Sequence, residues 1–274
     1  GKRDLSFVRN WKGFVKIAIV IVVPMSLVLG KAVLERVVLF DYIERASKPP
    51  EDLAEVQKEI MEYLENKYDQ EFEVVQDVKY DSAFNTFSLT ARPKDNRRVT
   101  FSGTKFTNGK LEDNFLSQLW DLQLKDEIKP LIDEMYPFQN RWDIYMDVTV
   151  SKSLNEVIDH KNVPDYQEIR KQYPDKTSLE LDIYLFKNLN ESNKDKELEK
   201  VYRLIQFLRE NGIQRFSVEV LYYEEILLKE KGRDIEVGGE FYDYLRYLIS
   251  IREEEAKTVR TPEDLEKHLI EYPG

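Results

Sequence analysis

The sequence predicts an α+β protein: an N-terminal transmembrane helix followed by two small α+β units. The first unit reads as a helix, a three-strand meander and a helix, the second as an alternating strand and helix repeat. Three observations predict this. A basic start leads into a long uncharged apolar run; strict alternation of apolar residues replaces helical spacing after residue 71; and one strand-end sequence recurs further along the chain.

Composition sets the frame. The chain has 274 residues, 42% hydrophobic and 12% aromatic, with only ten Gly and ten Pro, so it can bury a sizeable core and is neither disordered nor collagen-like. It has no cysteine, which removes disulfide scaffolds, thiol nucleophiles, iron-sulfur clusters and cysteine-held zinc. Charge is uneven. Residues 1 to 31 hold Lys2, Arg3, Arg9, Lys12, Lys16 and Lys31 against Asp4, a net of +5, and the other 243 residues hold 35 cations against 51 carboxylates, a net of −16. So acidic a body repels phosphate backbones, and no nucleic-acid partner is expected.

The apolar run is Ile17 to Gly30, fourteen residues without a charge. As a helix it rises only about 21 Å, short of the roughly 30 Å hydrocarbon layer, so the span must reach back toward Trp11. Lys16 can then snorkel to the interface and Trp11 sit among headgroups, while Ile17, Val20 and Leu27 face lipid and Pro24 introduces a kink. The reading divides this end into a cytoplasmic basic tail (1–12), a transmembrane anchor (13–32) and a juxtamembrane helix (33–48). The basic flank keeps the N-terminus in the cytoplasm and puts the acidic body on the far side of the cell membrane. Two rivals are a cleavable signal peptide cut after Ala32 and a buried helix of a soluble protein.

Pro49 and Pro50 end the juxtamembrane helix and open a first α+β domain, 50–137. Its helix carries Leu53, Val56, Ile60, Tyr63, Leu64 and Tyr68 at helical spacing. Three antiparallel strands follow in EFEVVQDVKY, NTFSLTARP and RRVTFSGTKF, separated by turn-forming residues. Asp113 to Tyr136 returns to helix, with Leu116, Leu119, Trp120, Leu124, Ile128, Leu131 and Met135 on one face and Pro130 as a kink.

The second domain, 138–274, contains the repeat. MDVTVSKSLNE at 146–156 and LDIYLFKNLNE at 181–191 agree at five of eleven positions, a spacing that suits strand, loop, helix and strand. A helix ending at Gly212 and a strand, RFSVEVLYYEE, come next. EFYDYLRYLISIREEEAK and TPEDLEKHLIEY then read as two helices, the latter with Thr261 as N-cap, Pro262 at the first position and Asp264 at the third.

Chemistry is sparse. There is no phosphate-cradling glycine motif and no GxSxG elbow. His160 and His268 stand 108 residues apart outside any zinc-binding pattern, and no DxDxDG loop offers calcium ligands. No catalytic residue, metal or cofactor is expected. Ligand-binding candidates come from the repeat, Lys152, Asn155, Lys187 and Asn190, and from the tyrosine-rich stretch, where Tyr242 and Tyr244 cannot be equally buried on one helix face.

YLENKYDQEFEVV and FSLTARPKDN, behind a basic single-pass anchor, resemble uncharacterised membrane-anchored proteins of Bacillus-type Gram-positive bacteria. The resemblance covers the anchor and residues 51 to 137 and brings no catalytic residues with it. The expectation is a membrane-anchored, extracytoplasmic, non-enzymatic binding or assembly module at the cell envelope, with the lipid bilayer and another envelope protein as partners. Its alternatives are an envelope hydrolase using paired carboxylates and a secreted protein with a cleaved signal peptide.

Overall fold

The computed structural model describes residues 48–231 and 239–273. Its first helix, α1 (Leu53–Tyr68), starts where the Asp52 carboxylate accepts the N–H groups of Ala54 and Glu55 and ends at Asp69 in the left-handed region. Val56, Ile60, Leu64 and Tyr68 form its buried stripe. They lie on an antiparallel sheet in chain order: β1 (Phe72–Asp81), β2 (Thr86–Pro93), β3 (Phe101–Phe106) and β4 (Leu111–Asp113). The meander thus has four strands rather than three. The extra one follows a tight turn in which Gly109 takes a φ of +86°.

Helix α2 (Phe115–Met135) runs from this sheet to the next. It buries Phe115, Leu116, Trp120, Leu124, Ile128, Ile132 and Met135, while Leu119 and Leu131 are only half-buried. The second sheet is mixed. Its order is β5 (Arg141–Val150), β6 (Thr177–Phe186), β7 (Phe216–Tyr223), β8 (Leu245–Ile251) and β9 (Leu269–Glu271), antiparallel throughout except for β6 and β7. That parallel pair is joined by α5 (Lys194–Glu210), closed by Gly212 at a φ of +77°. Two short helices, α3 (Lys152–Val157) and α4 (Tyr166–Gln172), link β5 to β6, and another, α6 (Glu225–Lys231), follows β7 and packs Leu227 with Phe186, Leu221, Tyr223, Leu245 and Leu248 on the sheet's outer face. Helices α2, α4 and α5 contribute side chains to one continuous core with the sheet residues Val148, Leu181, Ile183, Val218, Val220 and Ile249.

The expected fold is corrected on three points. First, no helix among the described residues is long and apolar enough to cross a membrane; the fold they show is α+β with two sheets. The anchor expected over 13–32, with Trp11, Lys16, Ile17, Val20, Pro24 and Leu27, lies outside the described residues, as does nearly all of 33–48. Second, the repeat does not alternate strand and helix: only β6, α5 and β7 form such a unit, and the other neighbours are antiparallel. Third, the stretch read as a long helix from Glu240 forms a 3₁₀ turn (Gly239–Tyr244), strand β8 and a single helical turn, α7 (Glu253–Ala256). Apolar residues on both faces of β8 erase the alternation that marks a strand, and Ile249 and Ile251 favour the extended backbone. Likewise Pro262–His268 is a 3₁₀ helix leading into β9, although Asp264 does accept the Thr261 N–H at 3.0 Å as expected of a cap.

At Gly103 the sheet packs directly under Ile60 and Leu64 of α1. A Cβ there would sit 2.6 Å from Ile60 Cγ2, inside a packed core with nowhere to yield. Gly103→Ala should therefore destabilise the protein by about 1–3 kcal/mol, read as a lower urea midpoint at unchanged slope.

Candidate functional site

The densest polar cluster lies where α1, the start of α2 and the β5–α3 corner meet. Asp113 is its hub, with a side chain only 1% exposed. Its Oδ2 accepts from Tyr63 Oη at 3.0 Å and Lys67 Nζ at 2.7 Å; its Oδ1 accepts from Tyr68 Oη at 2.7 Å and the Phe115 N–H at 3.0 Å. The Lys67 ammonium also stands 5.3 Å and 5.0 Å from the ring centres of Tyr63 and Tyr68. Burial works against the Lys67 charge, but the bond to Asp113 and its negative charge win and hold the ammonium above its ordinary pKa. Burial, reinforced by Asp113, pushes the Tyr68 phenol far up. The His160 ring edge packs on Tyr68, and burial followed by the Lys67 charge lowers its pKa, which favours the neutral imidazole.

Two of the expected binding residues line the cleft of about 300 Å³ beside this hub. Asn155 Oδ1 is 3.2 Å from His160 Nε2, and Lys152 stands at the rim, 91% exposed. The other two do not join them. Because β5 and β6 are antiparallel, the end of β5 pairs with the start of β6, so the matching loops emerge at opposite ends of the sheet. Lys187 is the counter-charge of a buried carboxylate: its Nζ lies 2.5 Å from Glu197, which also receives Lys200 at 2.9 Å and the Tyr222 hydroxyl at 3.3 Å. Asn190 shapes the turn into α5 by accepting the Ser192 N–H and hydroxyl at 2.9 and 2.6 Å. The repeat therefore preserves turn chemistry and not a paired site. Tyr242 is 64% exposed, whereas Tyr244 packs on a small apolar cluster with Phe186, Tyr223 and Leu245.

Every acceptor direction of Asp113 is taken by a donor of the protein itself, so it is a structural anchor and not a base waiting for substrate. Asp113→Asn would leave the Lys67 ammonium without its counter-charge and one hydroxyl without an acceptor. The expected loss is about 2–4 kcal/mol in urea unfolding.

A second group lies along β5, an edge strand. Asp121 Oδ1 accepts the Val148 N–H at 2.5 Å and Ser117 Oγ donates to the Val148 carbonyl at 2.9 Å, so α2 closes this edge with side chains. Burial pushes the Asp121 carboxyl up to about 7, with Asp147 adding to the shift. In the unfolded chain the group titrates near the ordinary aspartate value of 3.8. Below that pH both states are protonated. Between there and about 7 only the unfolded chain has released the proton, so the group weakens the fold as pH rises and by a constant amount above. Asp121→Asn keeps the acceptor and removes the titration. Its melting temperature should gain on the parent protein across that window and then hold its lead, as followed by thermal melts at successive pH values.

The far face of the second sheet carries a row that sequence reasoning did not assemble. Glu180 and Asp182 alternate with the buried residues of β6, and Glu219 with those of β7. In register, Asp147 lies opposite Glu180, Tyr145 opposite Asp182, and Asp182 opposite Glu219. Among the described residues none of these four carboxylates has a lysine or arginine partner; Glu219 accepts only the Ser250 hydroxyl, at 2.9 Å. Burial, then the charges of Glu219 and Glu180, raise the Asp182 carboxyl to about 6, and its Oδ1 is shielded from solvent without a donor. In the sequence Glu180 with Asp182, and Glu219, stand out only as carboxylates that could serve a hydrolase, among 52 acidic residues; the strand register is what sets them side by side with Asp147.

No other arrangement among the described residues suggests catalysis or metal binding. Ser102 and Lys105 have a Ser-x-x-Lys spacing, but on a strand they face opposite sides, and Lys105 is buried between Glu51 at 2.5 Å and Glu59 at 2.7 Å. His268 lies 3.8 Å from Glu255, and no group of three His, Asp or Glu side chains could hold a metal ion.

No protein-family model matches the chain, and no curated protein does. Among solved structures, a DUF5037 family protein from Ruminococcus gnavus, whose family is of unknown function, matches over 78% of this chain and 98% of its own, at 16% identity and a TM-score of 0.43.

Proposed function

We propose that this chain is a non-enzymatic binding or assembly module, attached to the membrane at the outer side of a Bacillus-type Gram-positive envelope. One observation carries the module reading: on the face of the five-stranded sheet away from the main core, beside the part covered by α6, Asp147, Glu180, Asp182 and Glu219 stand with Tyr145, and none of the four carboxylates has a lysine or arginine partner among the described residues. The cleft beside Asp113 supports the same reading, because Asp113 gives its lone pairs to the fold. Attachment and orientation rest on the sequence alone, on the basic and apolar leader that precedes a strongly acidic body.

In intact cells, a photo-crosslinking amino acid at Tyr145, exposed on the open face, should give a discrete adduct, and one at Phe84, exposed in the β1–β2 turn, should not. Protease added outside should cleave beyond residue 50, and carbonate washing should leave the chain with the membrane. The hydrolase alternative would instead rely on Asp121, the carboxyl raised to about 7, as its acid. Turnover of cell-wall material that disappears in Asp121→Asn would replace the module reading.

A further inference from the structure

We propose that the open face of the second sheet docks a cationic polypeptide segment that also carries apolar side chains, an inference that rests on the module reading and names its partner's chemistry. The face has two halves. On β5, β6 and β7 stand Asp147, Glu180, Asp182 and Glu219 with Tyr145, which is 48% exposed. Toward the other edge α6 and the 3₁₀ turn before β8 cover the face, burying Leu221, Tyr223, Leu245 and Leu248 with Leu227 and Phe241, and at the margin of that cluster Ile270 of β9, opposite Leu248, is 45% exposed and Tyr242 64% exposed.

Charge complementarity selects the occupant. Asp147, Glu180, Asp182 and Glu219 stand on three neighbouring strands, where Glu219 and Glu180 add to the burial that raises the Asp182 carboxyl; the Tyr184 hydroxyl donates to Asp182 at 3.5 Å and the Ser250 hydroxyl to Glu219 at 2.9 Å, but no lysine or arginine among the described residues offsets the four charges. A partner's ammonium or guanidinium groups would offset them. A second copy of this chain would set acid against acid. Anionic lipid headgroups and polyanionic polymers are repelled for the same reason. The exposed Ile270 and Tyr242 require apolar side chains beside the cations, which a basic polypeptide segment supplies and a simple polyamine does not.

The test is a titration of the full-length chain in mild non-ionic detergent, followed by fluorescence anisotropy. The probe is a labelled octapeptide of alternating lysine and leucine, with a glutamate-leucine octapeptide and chitohexaose as comparisons. The lysine peptide should bind, more weakly as salt rises, and the glutamate peptide and chitohexaose should not. Asp147→Asn, Asp182→Asn and Glu219→Gln combined should weaken lysine-peptide binding about tenfold. An equal loss of charge elsewhere, through Glu55→Gln, Glu65→Gln and Glu168→Gln at exposed positions, should change it less than about twofold. Thermal melts establish that each variant folds; the face variant should melt no lower than the parent, since it removes repulsion. Glu180→Lys, at an exposed position on the same face, gives a second reading and should also weaken binding.

Equal losses in the two triple variants would reduce the effect to net charge and overturn the proposal. So would failure of the parent to bind the lysine peptide at low salt, or face-dependent binding of chitohexaose in its place, which would make the partner a glycan. A crosslinked adduct at Tyr145 together with a failed titration would leave the module reading standing and remove only the cationic partner.

Discussion

The structure depends on a helix that belongs to two sheets. Helix α2 meets β3 and β5, and its largest buried side chain, Trp120, sends its indole N–H to the Pro164 carbonyl at 3.0 Å on the segment leading into α4. A helix in that position must bury more than one stripe, which is why Leu119 and Leu131 join the partly buried shell of the core. It also brings its polar residues to useful places. Glu127 accepts both Arg170 amino groups at 2.6 and 2.7 Å, and Gln123 receives the Tyr166 N–H at 2.8 Å, so the helical link between β5 and β6 is pinned to α2 by polar bonds as well as by packing. The two sheets thus share one core through this helix.

The two ends of α2 are treated differently. At its start, Asp113 gathers two tyrosines, a lysine and the first N–H of the helix, which ties α1 to the start of α2. Along its length, Asp121 and Ser117 occupy the open N–H and carbonyl of Val148 on an edge strand that another chain could otherwise extend. The chain thereby closes one edge of the second sheet, while among the described residues the carboxylate row on that sheet's outer face is left uncovered by helix. Asymmetry of this kind favours recognition through side chains on the face over strand addition at that edge.

Much of the fold was legible because the relevant signals are local. The helical stripe from Leu53 to Tyr68, alternation in β1 to β3, Pro262 after Thr261 and Gly212 after α5 each act within a few residues and are read in place. What escaped depends on burial by distant elements. Strand β8 is apolar on both faces, since Ile249 and Ile251 point to the main core and Leu245 and Leu248 to the smaller cluster, so its pattern is indistinguishable from that of a buried helix. The repeat misled for a related reason. Its shared Lys and Asn positions reflect similar strand ends, but one lysine faces water and the other neutralises a buried glutamate, a difference set by α5. The carboxylate row could not be found at all without knowing that β6 runs antiparallel to β5 and parallel to β7.

The parallel pairing of β6 and β7 also has a bearing on the order of assembly. Strands β5 and β6 can pair as soon as both exist, but the middle of the sheet cannot close until α5 has crossed over and returned the chain in the same direction. Until Tyr223 has emerged during synthesis, the inner edge of β6 is a row of unsatisfied amides and carbonyls beside apolar side chains, open to wrong neighbours. Transit time through this stage, more than final stability, would then govern how much of the newly made chain is lost to aggregation.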